Sequence, residues 1–250
     1  MRKEFKNRQE AGKLLGEKLK ASIQGNDVVV VALPRGGVPI GFEVAKVLDA
    51  PLDICVVRKL GVPRHPELAM GAIATGGVMV LNQELLAGVN ISSAQIEAVV
   101  EREKKELERR ERVYRSSCPM WNVGERQAIV VDDGIATGCT VRAAIAALQK
   151  LQPISIIVAA PVIAPSTSQE LVNLGTKVIS LIAPEPLYAI SFWYDNFTQT
   201  TDEEVLKILN NLSLVPDHLS LGTGTASYST LSNDAPLLIT PVPFRTQGLG

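Results

Sequence analysis

Short, β-branched apolar runs recur along this chain, and a segment of helical periodicity follows most of them. That alternation is the feature that most restricts the fold. Two parallel strands need a long crossover, and a helix laid on the sheet face is the usual one. The pattern therefore argues an α/β fold, a mainly parallel sheet with helices on both faces. DVVVVAL (Asp27–Leu33), held between Gly25 and Pro34, reads as a strand buried on both sides. GVPIGFEVAKVLD then carries Val38, Phe42, Val44, Ala45 and Leu48 at helical spacing. LDICVVRKL (Leu52–Leu60), AIVV (Ala128–Val131), ISIIVAAPVI and TKVISLI read as further strands, and VRAAIAALQKL (Val141–Leu151) and SQELVNL as further helices. Sheets of this kind bind ligands at the carboxyl ends of their strands, so chemistry is expected in the residues that follow each strand.

Three segments stand outside the alternation. Asn7 to Ala21 has the pattern of an amphipathic helix. Ser92 to Tyr114 reads as a long charged helix opened by a capping box of Ser92 with Gln95, its opposite charges at spacings that pair on a solvated face. Residues 213–250 are rich in Ser, Thr, Gly and Pro with few charges, and read as a low-complexity, flexible tail without enzymatic duty.

Composition closes off several classes. A formal net charge of −1 gives no global basic field, which disfavours nucleic acid as a partner. Cys55, Cys118 and Cys139 share no metal-binding or disulfide spacing, which fits a reducing compartment. The first residues are charged throughout and lack the apolar stretch of a signal peptide, and no apolar run nears the ~20 residues that span a bilayer. A cytoplasmic protein with no membrane partner is expected. No G-x-x-x-x-G-K-[ST] occurs, so a Walker-type nucleotide hydrolase is disfavoured.

The most informative stretch is AIVVDDGIATGCT (Ala128–Thr140). A buried strand delivers Asp132 and Asp133 to its carboxyl end, and Gly134 lets the backbone bend or approach a ligand closely. Thr137, Gly138, Cys139 and Thr140 lead into the following helix, whose free N–H groups and dipole favour a phosphate. The two carboxylates suit sugar hydroxyls or a Mg²⁺ reached through water. A capped strand end with a tight turn is the plain alternative. A second anion site is offered by VVVVALPRGGVPIGF, where Arg35 brings a fixed charge and a fork of donors, and Gly36 and Gly37 permit close backbone approach. Its plain alternative is a strand-to-helix turn that needs glycine. Arg58 and Lys59 close the second core strand and add two cations at the same expected sheet edge.

AIVVDDGIATGCT resembles the phosphoribosyl-pyrophosphate (PRPP) motif of type I phosphoribosyltransferases: four apolar residues, two acidic residues, a short link, then Thr-Gly-x-Thr. The resemblance covers about residues 28–209. It implies that Asp132 and Asp133 meet the ribose hydroxyls and an indirectly held Mg²⁺. It also implies that Ile135, Ala136, Thr137, Gly138, Cys139 and Thr140 wrap the 5′-phosphate, with Gly134 a further PRPP-binding residue, and that Arg35, Gly36 and Gly37 form the pyrophosphate loop. RKLGVP is similar to a segment of adenine phosphoribosyltransferases.

Family members close a flexible loop over the site before the motif strand. Here that region is Arg109–Gln127, with Arg112, Tyr114 and Arg115 as candidates to reach the pyrophosphate, or else as ordinary helix-end residues. The resemblance further implies one domain over residues 1–212, with a small hood made of the N-terminal helix and residues 183–212. LYAISFWYDNF in that hood would place Tyr188 as the ring that stacks on a base and Asp195 as its acidic partner, against a plain core role for Phe192, Trp193 and Phe197.

One departure is informative. Enzymes for 6-oxopurines carry an aspartate before Thr-Gly, and this chain has Ala136, which cannot act as an acid or base. Hypoxanthine and guanine are the less expected acceptors. The implied activity is Mg²⁺-assisted, salvage-like transfer of the phosphoribosyl group from PRPP to a base or amine. The expected partners are those two molecules, with a homodimer as a further expectation. A PRPP-sensing regulator that binds nucleic acid, and a sugar-phosphate hydrolase on the same fold, are the rivals.

Overall fold

Val28, Val30 and Ala32 point into one hydrophobic core, while Val29 and Val31 point into another. One five-residue strand thus serves two cores, which is why its run is apolar throughout rather than alternating. The computed structural model describes residues 4–23, 25, 27–116 and 122–212. In chain order they form α1 (Arg8–Ser22), β1 (Val28–Ala32), α2 (Gly37–Leu48), β2 (Leu52–Ile54), β3 (Val57–Val62), β4 (His65–Ala74), β5 (Val78–Leu81), α3 (Gln83–Gly88), α4 (Ser93–Arg115), β6 (Gln127–Val131), α5 (Cys139–Gln149), β7 (Ser155–Val162), α6 (Pro165–Asn173), β8 (Lys177–Ile182) and α7 (Asp202–Leu212).

Five strands make one parallel sheet in the order β2-β1-β6-β7-β8. On one face lie α1 and α2, with Leu15, Leu19, Val38 and Val44 against Val30, Ile129 and Ile157. On the other lie α5 and α6, with Val141, Ile145, Leu148 and Leu171 against Val31, Val130 and Val158. This is the expected α/β architecture. Strand order reverses between β1 and β6, and such a switch point opens a crevice at the strands' carboxyl ends. Ala32 and Val131 stand opposite each other there, and the Leu33 N–H donates to the Val131 carbonyl at 2.9 Å. The loops after β1 and β6 therefore leave the sheet side by side.

LDICVVRKL is not one strand. Leu52–Ile54 pairs with β1, and Val57–Val62 opens a separate antiparallel sheet, β3-β4-β5. The crossing residues Cys55 and Val56 are buried, one in each core, so no polar break marks the change of sheet. The Val56 N–H instead donates to the Thr75 hydroxyl at 2.9 Å. Arg58 and Lys59 consequently lie on β3, not at the end of a strand of the parallel sheet.

The caps follow the local chemistry. Asn7 accepts the Glu10 N–H at the start of α1, and Ser92 and Gln95 form a reciprocal capping box on α4. Among the described residues no helix is long and apolar enough to cross a membrane. Cys55 and Cys139 are free, buried thiols. Cys118 and residues 213–250 lie outside the described residues.

Candidate functional site

The loop from Ile135 to Thr140 leaves a run of backbone amides without backbone partners among the described residues. Asp132 keeps its N–H on the Ala159 carbonyl at 3.3 Å, and Ile135 forms an isolated parallel bridge with Ile163, so the entry to the loop is tied to β7 and the residue after it. Beyond Ile135, the amides of Ala136, Thr137, Gly138, Cys139 and Thr140 donate to no backbone partner among the described residues. Gly138 has φ +68°, and a Cβ there would stand 2.6 Å from Cγ2 of Thr167. Glycine alone meets both demands without strain. The next residue starts α5, two positions earlier than the apolar pattern predicts, which adds the positive end of the helix dipole. The Cys139 side chain takes no part. Its thiol faces the Gly71 carbonyl at 3.4 Å, and burial pushes its pKa up.

The acidic pair sits at the mouth of this loop. Oδ1 of Asp132 accepts the Asp133 N–H at 2.9 Å, and Oδ2 of Asp133 accepts from Nε of Arg8 at 2.8 Å. Burial raises the pKa of both carboxyls, that of Asp132 further through the charge of Asp133, while the Arg8 guanidinium opposes the rise. Arg8 is itself fixed by the Thr198 carbonyl at 2.8 Å and by the ring of Phe197, 4.0 Å away. Buried Tyr194 donates its hydroxyl to the Asp133 carbonyl at 2.7 Å and packs between Phe5 and Phe197. Ile190 covers Gly134, where a Cβ would fall 2.4 Å from Cγ2 of Ile190. The N-terminal segment and the stretch around residue 194 are joined by a bridge between Phe5 and Tyr194. Arg8, Tyr194 and Ile190 were not singled out from the sequence. Their partners lie far along the chain, 125 residues for Arg8 and Asp133, and only the aromatic density near 190 hinted at them.

The loop after β1 lies against the same aspartate. A Cβ on Gly36 would stand 2.0 Å from Oδ2 of Asp133, so the two loops touch only because residue 36 has no side chain. Arg35, which follows a cis peptide bond with Pro34, reaches instead toward the first turn of α7. Its Nη1 lies 3.6 Å from Oδ1 of Asp202. The same carboxylate accepts the Tyr114 hydroxyl at 2.6 Å and has Nη2 of Arg109 at 3.6 Å. That hydroxyl, then Arg110, Arg35 and Arg109, hold Asp202 below the usual carboxylate range. Burial and the hydrogen bond to the Asp202 carboxylate push the phenol of Tyr114 up. Asp202 was not singled out from the sequence either.

The remaining candidates disperse. Arg115 donates to the Ile54 carbonyl at 2.7 Å and pairs with buried Asp53, tethering the end of α4 to the edge strand. Arg112 is exposed on α4. Residues 117–121 of the expected mobile loop lie outside the described residues. Arg58 turns to Glu103 of α4 at 2.7 Å, and Lys59 is exposed on β3, its charge opposing the rise that burial gives the Cys139 thiol. Tyr188 is 82 % exposed, Asp195 is exposed, and Phe192, weighed as a core residue, is 61 % exposed. Tyr194 is the aromatic that touches the acidic pair.

The chain is similar to two Mycobacterium tuberculosis proteins, "Putative phosphoribosyl transferase MT0597" of strain CDC 1551 and "Putative phosphoribosyl transferase Rv0571c" of strain H37Rv. Each is 42 % identical over 206 residues, 82 % of this chain and 46 % of the relative. The chain thus spans about half the length of the curated relatives it matches. Among solved structures it is similar to TT1426 from Thermus thermophilus, with 36 % identity and a TM-score of 0.71, covering 84 % of this chain and 99 % of that one. No family model matches it.

Proposed function

We propose that the chain, a relative of TT1426 that is also similar over 206 residues to two mycobacterial proteins each named "Putative phosphoribosyl transferase", transfers the 5-phosphoribosyl group of PRPP to a nitrogenous base or amine. The observation that carries this reading is the contact of the two loops. The Asp133 carboxylate rests on Gly36, so one loop of outward amides and one loop bearing Arg35 flank a single acidic pair. A sugar with a phosphate at one end and a pyrophosphate at the other matches that order of charges.

In the transfer, the bond from C1 of the ribose to the pyrophosphate oxygen breaks as a bond from the acceptor nitrogen to C1 forms. The acceptor's proton is lost to the solvent or the departing pyrophosphate. Asp132 and Asp133 accept hydrogen bonds from the ribose hydroxyls, and Arg8 supplies the counter-charge that favours Asp133 as a carboxylate. Amides 136–140 grip the 5-phosphate, and Arg35 draws charge toward the leaving group. Catalysis is then positioning and electrostatic preorganisation, with no protein nucleophile. Asp132 and Asp133, the latter already paired to Arg8, would hold a Mg²⁺ indirectly, through water. When bound, the ion would neutralise the leaving pyrophosphate. In this reading Tyr188 and Asp195 serve the acceptor, and Lys59 the phosphate side.

The test is a panel of purine and pyrimidine bases incubated with PRPP and Mg²⁺, read by pyrophosphate release and nucleotide formation. At least one base should yield a nucleotide in a Mg²⁺-dependent way. Failure of PRPP to bind at all, by calorimetry on folded protein, would overturn the reading.

A further inference from the structure

A loop that turns five amides toward an anion must turn the carbonyls of the same peptides the other way, into the protein, where each needs a donor. The four from Ile135 to Gly138 each have one. The Ile135 carbonyl accepts the Ala164 N–H at 2.9 Å, and the Gly138 carbonyl accepts the Arg142 N–H at 2.9 Å. No backbone group serves the Ala136 and Thr137 carbonyls among the described residues. The Ala136 carbonyl is met by the hydroxyl of Thr167, and the Thr137 carbonyl by Nη1 of Arg142 at 2.9 Å. Both residues are buried, the Arg142 side chain to 2 % exposure, and neither lies on the loop's outer surface. Thr167 lies in the first turn of α6, and Glu170 of the same helix pairs with the other arm of the Arg142 guanidinium. The first turn of α6 therefore supports the loop from behind.

We propose that Arg142 and Thr167 are positioning residues of the phosphate loop, holding two carbonyls inward so that the amides stay aimed at the 5-phosphate. The inference rests on the phosphoribosyl reading of that loop. The Thr137 carbonyl and the Gly138 N–H belong to one peptide unit, and so do the Ala136 carbonyl and the Thr137 N–H. A cation or hydroxyl on the carbonyl polarises the unit and strengthens its N–H as a donor. Arg142 adds a further contribution. It is a buried cation behind the loop, offset in part by Glu170, and its charge lowers the neighbouring Cys139 thiol against the rise from burial. A phosphate in the cradle would feel that charge without touching it.

The role has a signature that general destabilisation lacks: loss confined to the phosphate end of the ligand. The probes are ribose 5-phosphate, inorganic pyrophosphate and PRPP, titrated calorimetrically into the full chain. Arg142→Gln should weaken ribose 5-phosphate binding about tenfold while pyrophosphate binding stays within about twofold. Thr167→Val, which keeps shape and loses only the hydroxyl, should weaken it about threefold and covers the case in which the arginine variant does not fold. Arg142→Lys should recover part of the loss. Unchanged ribose 5-phosphate affinity in a folded variant, or equal losses for both probes, overturns the inference and leaves the phosphoribosyl reading standing. A wild-type protein that binds neither PRPP nor ribose 5-phosphate overturns both.

Discussion

The Ile135–Thr140 loop, read above as the phosphate loop, and the rim around Asp202, where Arg35 and Arg109 meet a carboxylate, are built in opposite ways. The loop is one continuous piece of backbone, tied to the end of β7 where it begins, running into α5 where it ends, and backed by buried Arg142 and Thr167. The rim is a meeting of side chains from three distant elements. Arg35 and Arg109 stand 3.6 Å from Asp202 as partly exposed ion pairs, and only Tyr114 makes a close hydrogen bond to it. Exposed pairs of this kind contribute little to stability and exchange partners readily. The difference teaches that one half of the site is preorganised, with no rearrangement needed when an anion arrives. In the other half, cations rest on a carboxylate that, on the proposed reading, an incoming pyrophosphate would displace.

The sharpest way to break this comparison is at the one point both halves share. Gly36→Ala places a Cβ where Oδ2 of Asp133 now lies, and the neighbour is an aspartate fixed by Arg8 and Tyr194. The loops must part, and a misplacement on the scale of about 1 Å costs on the order of 10²-fold in a positioned reaction. We expect PRPP affinity of the folded variant to fall by that order; affinity close to that of wild type would mean that the two loops do not act on one ligand. Arg35→Ala should come next, with roughly tenfold weaker pyrophosphate binding from the lost charge-assisted bonds and ribose 5-phosphate untouched. Equal loss for both probes would deny the division into two halves.

Asp202→Asn tests the rim by gain rather than loss. If the carboxylate only holds the arginines until an anion arrives, the amide should raise pyrophosphate affinity about threefold at low salt, and the gain should shrink as salt screens it. Weaker binding in this variant would show a rim that is positioned as firmly as the loop.

The two halves also differed in how far they could be read beforehand. The strand, the acidic pair and the Thr-Gly turn occupy one stretch, Ala128–Thr140, so local hydropathy and turn chemistry expose them together. The rim joins Tyr114 to Asp202 across 88 residues, and no local period records such a pairing. Arg115 shows the limit from the other side: a helix-end cation looks available in sequence, yet its partner is a buried aspartate on β2. The antiparallel sheet escaped for a related reason. Cys55 and Val56 pass from one sheet to the next without leaving apolar surroundings, and Pro66 and Gly71 interrupt the pattern of β4.

The smallest expected effect concerns what the acidic pair costs the fold. Burial raises the folded-state pKa of Asp132, and its neighbour's charge raises it further. Between the ordinary aspartate value, about 4, and that raised value, the folded state binds more protons than the unfolded one. Stability from this group is therefore full at acid pH and is lost as pH rises through the window. Asp132→Asn removes the titration while keeping the shape. The variant should match wild type at the acid end and become the more stable of the two as pH rises toward neutral, with the difference levelling above the raised pKa. Thermal unfolding of both proteins across that range measures it. A wild-type protein that gains on the variant with rising pH would mean that Asp132 is stabilised as a carboxylate in the empty site. The acidic pair would then belong with the preorganised half, rather than being a strained group held ready for a sugar's hydroxyls.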